Sequence, residues 1–222
     1  MTGLNPLVND RTCSFGPLLV RYDERVLTPR PWTLLQSEWA AELCVSAAAG
    51  PILELCAGAG QIGLAAAVLA DRDLIQVEAD PVAASYARAN AAAAGRADRV
   101  EIRNARLEEA LRPDERFEVV IADPPYLPTT EVARWPEDPR TAIDGGSDGL
   151  ELLVACLEVA SRHLSDSGCL LLQIAGPAQD GQLTELLAAT PDWALSRQAA
   201  RVFDDARAVM LIARTKDARH GR

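Results

Sequence analysis

The sequence predicts an α/β protein with a mostly parallel sheet, crossover helices and an antiparallel C-terminal hairpin. Three observations predict it. Short β-rich runs alternate with longer helical stretches from residue 51 onward. A glycine-rich turn joins the first of those runs to a helix, as in open parallel sheets. Two further β-rich runs, near Leu195 to Arg201 and Val209 to Arg214, close the chain with no helix between them.

Taken in order, Leu18 to Tyr22 and Arg25 to Leu27 predict a small hairpin that turns at Asp23-Glu24, with Pro17 tolerated at its start. Residues 1–32 are thus a lead-in segment. Thr33 to Ala49 reads as a helix, and Pro51-Ile52-Leu53-Glu54-Leu55 as a buried strand. Gln61 to Ala70 is helical and Leu74 to Glu78 is the next strand. The helix after it is well punctuated: Asp80 suits the N-cap, Pro81 the first helical position, and Gly95 the end. Strands follow near Val100 to Arg103 and Phe117 to Ala122. Residues 127–147 are rich in Pro, Gly and charge and predict a long loop of functional type. Asp148 with Glu151 resembles a capping box for a helix ending near His163. Cys169 to Ile174 gives a strand and Thr184 to Ala189 lies in a helix. Residues 33–215 read as one domain, and 216–222 as a flexible basic tail.

A chain of 222 residues is long enough for one domain with a sizeable core. The net charge of −10 disfavours non-specific nucleic-acid binding, which needs phosphate-neutralising cations. Cys13, Cys44, Cys56, Cys156 and Cys169 are dispersed, without the spacing of a zinc site or a disulfide frame, so no metal is expected. No apolar run approaches the length of a membrane span, and no export signal stands at the N-terminus. A cytoplasmic protein is expected.

Two motifs carry chemistry. Glu54-Leu55-Cys56-Ala57-Gly58-Ala59-Gly60-Gln61-Ile62-Gly63 follows a strand and opens a helix, whose free N–H groups and small residues allow close approach of a ligand. Glu78, with Ala79 beside it, ends the next strand and suits a ribose. Gly58, Gly60 and Gly63 also satisfy a dinucleotide fingerprint, which leaves a nicotinamide-dependent oxidoreductase open. Glu54 argues otherwise, because a carboxylate near a pyrophosphate repels it whereas a cationic ligand is attracted. S-adenosylmethionine, with its α-ammonium and sulfonium, is the expected cofactor, held by Glu54, Cys56, Gly58, Gly60, Glu78, Ala79 and Asp123.

Asp123-Pro124-Pro125-Tyr126 leaves a later strand at the same sheet edge. Two prolines stiffen the turn and remove two N–H donors, leaving an array of acceptors. The Asp123 carboxylate and the Pro124 carbonyl suit the two hydrogens of an –NH₂ group, and Tyr126 suits a planar substrate. Asp123, Pro124 and Tyr126 are therefore the catalytic candidates, and Pro124, Pro125, Tyr126 and Arg30 the substrate-binding ones. Pinning the N-terminal segment is the weightier reading of Arg30. Trp135 in the long loop suits either stacking or loop packing, and His163 suits a helix C-terminus.

These motifs together resemble the class I methyltransferases, and within them the HemK/PrmC protein-glutamine methyltransferases. Val26-Leu27-Thr28-Pro29-Arg30-Pro31-Trp32-Thr33 is similar to that family's PRPxT segment, Asp123 to Tyr126 to its NPPY, and Ala142 to Leu150 to its glycine-rich stretch. The resemblance implies a Rossmann-like, seven-stranded, mostly parallel sheet with helices on both faces. It also implies transfer of a methyl group to a protein glutamine amide, with a translation factor among the partners it would take. The chain departs from the family at Asp123 (asparagine there), at Cys56 (glycine), at Trp32 and Leu34 (acidic residues), and at Asn104-Ala105-Arg106, where an acid often stands near the adenine. The family's N-terminal helical domain has no counterpart in these residues. An adenine amine of RNA or DNA and a small-molecule amine are the alternative acceptors.

Overall fold

The computed structural model describes residues 10–215. The basic tail expected at 216–222 lies outside the described residues. A hairpin of β1 (Arg11–Phe15) and β2 (Leu18–Tyr22) leads into α1 (Leu34–Cys44). Then come β3 (Ile52–Leu55), α2 (Gln61–Ala70), β4 (Leu74–Glu78), α3 (Pro81–Ala93), β5 (Val100–Asn104) and β6 (Phe117–Ala122). After a long connection with one helical turn, α4 (Arg140–Ile143), the chain forms α5 (Glu151–His163), β7 (Leu164–Ile174) and α6 (Pro177–Ala189). It ends on β8 (Leu195–Asp204) and β9 (Arg207–Arg214).

The seven-stranded sheet has the order β5-β4-β3-β6-β7-β9-β8. Pairs from β5 to β7 are parallel, while β9 runs antiparallel to both β7 and β8. The expected fold class and C-terminal hairpin are both present. From β3 the chain winds outward to β5 and then returns to place β6 on the other side of β3. That reversal opens a crevice beyond the carboxyl ends of β3 and β6. The adjacent residues Leu55 and Ala122 are paired in register there, so the turns after both strands start side by side.

Each face of the sheet carries its own apolar layer. Trp39, Ile62, Leu64 and Tyr86, from α1 to α3, fill one. Leu153, Leu157 and Leu183, from α5 and α6, fill the other with Leu53, Val120 and Leu172. Strands buried on both faces explain why β3 and β6 read as nearly continuous apolar runs. No helix among the described residues is long and apolar enough to cross a membrane.

The caps of α3 form as the sequence indicates: Asp80 Oδ1 accepts from Val82 N and Ala83 N, Pro81 sits at the first position, and Gly95 adopts φ +67° just past the end. At α5 the pairing is offset by one residue, with Asp148 accepting from Leu150 N and Glu151 from Ser147 N. Two expectations are corrected. The lead-in hairpin lies one strand earlier, turning at Gly16-Pro17, and Arg25 to Leu27 is not a strand. The reason is Asp23, buried, whose carboxylate accepts from both Arg25 N (2.9 Å) and Arg25 Nε (2.9 Å), a local turn that competes with strand pairing. The helix expected to Ala49 stops at Cys44, because the Arg72 guanidinium takes the carbonyls of Cys44 (2.9 Å), Ala47 (3.0 Å) and Ala48 (2.8 Å) from across the chain.

Candidate active site

The crevice holds a cavity of about 530 Å³. Cys56, Ala57 and Gly58 after β3, Glu78 at the end of β4 with Ala79 to Pro81 after it, and Asp123 and Pro125 after β6 all line it. Both predicted motifs therefore face one space. Cys56 and Gly58 share the left-handed backbone, at φ +57° each. This explains why a glycine suits position 56, since a side chain there costs about 1–2 kcal/mol. A Cβ on Gly58 would meet nothing within 4 Å, so the space beside that backbone is open to a ligand. The half-buried Cys56 thiol is pushed well above its usual range by its contact with Cys156 and by desolvation, which keeps it protonated.

Glu78 shapes the far wall. Its Oε2 accepts from Gly58 N (2.7 Å) and its Oε1 from Asp80 N (2.8 Å), tying the glycine turn to the start of α3. Burial raises its pKa. Each carboxylate oxygen keeps a second lone-pair site for a ligand hydroxyl. The Asp123 carboxylate draws no hydrogen bond or charge partner from the described residues, and burial pushes its pKa up to about 7. It is an acceptor facing the cavity.

Other residues expected at the site stand elsewhere. Glu54 does not line the cavity. It is buried beneath the turn, accepting from Gly63 N (2.9 Å) and Gln76 Nε2 (2.5 Å), and burial lifts its pKa to about 8. In this position its carboxylate seats the start of α2. Gly60 is likewise a packing residue: a Cβ there would lie 2.8 Å from Gln76 Nε2. A Cβ on Gly63 would lie 2.3 Å from Glu54 Oε2. Two of the three glycines are thus explained by the protein itself and only Gly58 by open space. Arg30 follows the weightier of its two readings: its Nη2 donates to both oxygens of Asp138 (2.6 and 2.5 Å), which pins the N-terminal segment to the long loop.

Pro124 is buried, and Tyr126 is half-buried outside the main cavity wall. Burial and the neighbouring Asp123 charge raise the Tyr126 pKa, keeping the phenol protonated. Arg30, Arg207 and Asp138 are the other charges acting on it, so the tyrosine marks the outer side of the Asp123 turn. His163 ends α5 with Nδ1 3.0 Å from the Glu115 carbonyl and does not line the cavity, and Trp135 is exposed on the loop.

Several contributors were not foreseen. Gly145 and Gly149 press on the Asp123 turn: added Cβ atoms would lie 2.8 Å from the Pro125 carbonyl and 2.4 Å from that of Tyr126. The glycine-rich stretch thus has a packing reason. Gln36 is fully buried and donates to the carbonyls of Ala122 and Leu171, both at 2.9 Å, where β6 gives way to the Asp123 turn. Arg25 to Leu27, Ala105 to Glu108 and Thr141-Ala142 add to the cavity wall. The first segment reads in the sequence as one strand of a small hairpin, and no local signal marks it as a wall.

The fold can be placed among solved structures. The hMettl16 catalytic domain in complex with MAT2A 3'UTR hairpin 6 superposes with TM-score 0.71 at 14% identity, covering 91% of this chain and 77% of that one. A SAM-dependent methyltransferase from Agrobacterium tumefaciens gives 0.65 at 16% identity, covering 96% and 72%. This is the class I methyltransferase fold. By sequence, the chain is 32% identical over 183 residues to a release factor glutamine methyltransferase of Gloeobacter violaceus, covering 80% of this chain and 63% of that protein. The corresponding protein of Mycolicibacterium smegmatis is 36% identical over 166 residues, covering 71% and 57%. A ribosomal protein uL3 glutamine methyltransferase of Burkholderia pseudomallei is 30% identical over 167 residues, covering 68% and 54%. The chain therefore spans a little over half the length of these relatives. A family model described as Conserved hypothetical protein 95 matches residues 37–134.

Proposed function

We propose that this chain transfers a methyl group from S-adenosylmethionine to the side-chain amide nitrogen of a protein glutamine. One observation carries the reading: Gly58 and Asp123, from two separate motifs, line the same cavity at the point where the strand order reverses. The relatives named above as glutamine methyltransferases support the choice of acceptor.

The residues present fit the cofactor. The open space beside Gly58 admits a ligand against the backbone, and the half-buried Glu78 offers acceptors to ribose hydroxyls. The walls carry Glu78, Asp80, Glu108, Asp123 and Asp144 against Arg25 and Arg106, an acidic balance that favours a cation over a phosphate. When bound, S-adenosylmethionine supplies an electrophilic methyl group. Asp123 accepts one amide hydrogen and the Pro124 carbonyl the other, which turns the nitrogen lone pair toward the donor side. Holding two reactants this way is worth up to about 7–11 kcal/mol. After transfer the nitrogen sheds its extra proton to water, and Asp123 serves to hold and orient the amide. The two prolines and the glycines at 145 and 149 keep the turn from yielding.

Incubation with methyl-labelled S-adenosylmethionine tests the reading, offering a bacterial release factor, protein uL3 and RNA as separate acceptors. Label should appear in a glutamine side chain. Asp123→Ala should abolish transfer and leave cofactor affinity within a few-fold. Label in an RNA adenine, or tight binding of NAD in place of S-adenosylmethionine, would overturn it.

A further inference from the structure

The tip of the C-terminal hairpin carries a feature the site chemistry does not use. Val202 pairs with Ala208 and Asp204 with Arg207, so Phe203 is an extra residue in β8. A bulge of this kind re-aims a side chain. Phe203 is left 54% exposed and Val202 61% exposed, on the edge strand of the sheet. Exposed apolar side chains on an edge strand invite association, so the pair offers a face for an occupant.

The tip is built rather than loose. The Arg207 guanidinium lies between two rings, 4.0 Å from the Trp32 centroid and 5.0 Å from that of Phe203. The rings themselves are 6.4 Å apart. The turn between β8 and β9 packs on Gly176, where a Cβ would come within 2.7 Å of the Asp205 carbonyl. Because β9 pairs with β7 as far as Ile174 and Ala208, this turn sits at the carboxyl end of β7, the same sheet edge as Asp123. Arg207 also lies close enough for its charge to act on Tyr126. The patch therefore continues outward from the acceptor side of the turn.

Its charge selects the occupant. Arg207 is paired with Asp204, and Arg30 with Asp138 at 2.5 Å, so both guanidiniums are matched by carboxylates. Asp205 adds an exposed acid. A strand of phosphates would meet no uncompensated cation there, whereas an uncharged peptide loop meets aromatic and arginine faces of the kind that dominate protein interfaces. The geometry points to Trp32, Phe203, Val202 and Arg207 as a docking surface for an uncharged, apolar stretch of the protein substrate flanking its glutamine. The inference rests on the glutamine reading above.

The test uses Phe203→Ser and the double variant Val202→Ser/Phe203→Ser, both exposed positions, with the melting temperature as a folding control. With a bacterial release factor as probe, KM for that protein should rise about ten-fold or more, the size of one interface anchor. The kcat and the dissociation constant for S-adenosylmethionine should stay within about two-fold. If the wild type labels glutamine and KM does not move, the docking surface is wrong and the glutamine reading survives. If the wild type labels no glutamine, both fall. A variant that changes the sedimentation of the protein alone would instead make the tip a contact between two copies of this chain and overturn the assignment.

Discussion

Asp123 combines two demands that conflict at neutral pH. It must be a carboxylate to accept strongly, yet burial moves its titration up to about 7. Below that value the group is protonated and its acceptor capacity is reduced, so kcat/KM of the wild type should fall toward acid with a midpoint near 7. The Asp123→Asn variant keeps an acceptor oxygen at this position and does not titrate. It should lose the acid limb and run roughly five-fold slower on the plateau, the equivalent of about 1 kcal/mol between charged and neutral hydrogen bonds. An acid limb that persists in the variant would assign it to another group. Asp123 was legible because a Pro-Pro pair constrains its neighbours by covalent geometry alone. Glu54 was not, because its partners Gly63 and Gln76 are brought to it by the helix and strand that follow.

At the scale of elements, the long connection from Leu127 to Ser147 is held at several places. Leu127 exchanges backbone hydrogen bonds with Ile143 (3.1 Å) and Gly145 (2.8 Å), Thr129 Oγ1 donates to Asp144 (2.6 Å), and Asp138 takes Arg30. The last tie joins the loop to the segment that carries Val26 and Leu27 into the cavity wall. Asp138 is largely buried, with 7% of its side chain exposed, so removing its partner leaves a costly group unpaired, on the order of 1–3 kcal/mol. Arg30→Ala should therefore quicken hydrogen exchange in residues 127–147 and raise KM for the acceptor several-fold, with the cofactor dissociation constant little changed. Unaltered exchange would mean the latch holds nothing. That the loop is functional was readable from its length and composition, but its anchoring was not, since the pairing spans 108 positions.

For the whole molecule, stability depends on acids that folding hides. Glu54 titrates near 8 in the folded chain and near 4.3 when unfolded. Between those values the native state keeps a proton that the unfolded chain has released, so stability falls as pH rises through that window. Asp123 acts in the same direction up to about 7. Glu54→Gln removes one of these titrations, and its melting temperature relative to wild type should climb steadily from pH 5 to pH 8. Parallel curves for the two proteins would show that Glu54 stays ionised in the fold.

By itself the sequence determined the alternation of strand and helix, the caps of the helix after Asp80, and the two turns that bear Gly58 and Asp123. These depend on periodicity and on backbone rules for Gly and Pro, which act over a few residues. Only the tertiary structure decided that two of the three turn glycines serve packing, that Arg30 latches a loop, that Arg25 to Leu27 forms a wall instead of a strand, and that Phe203 stands beside Trp32. Each of those outcomes depends on a partner far away in the chain, and distance along a sequence carries no record of which groups the sheet will bring together.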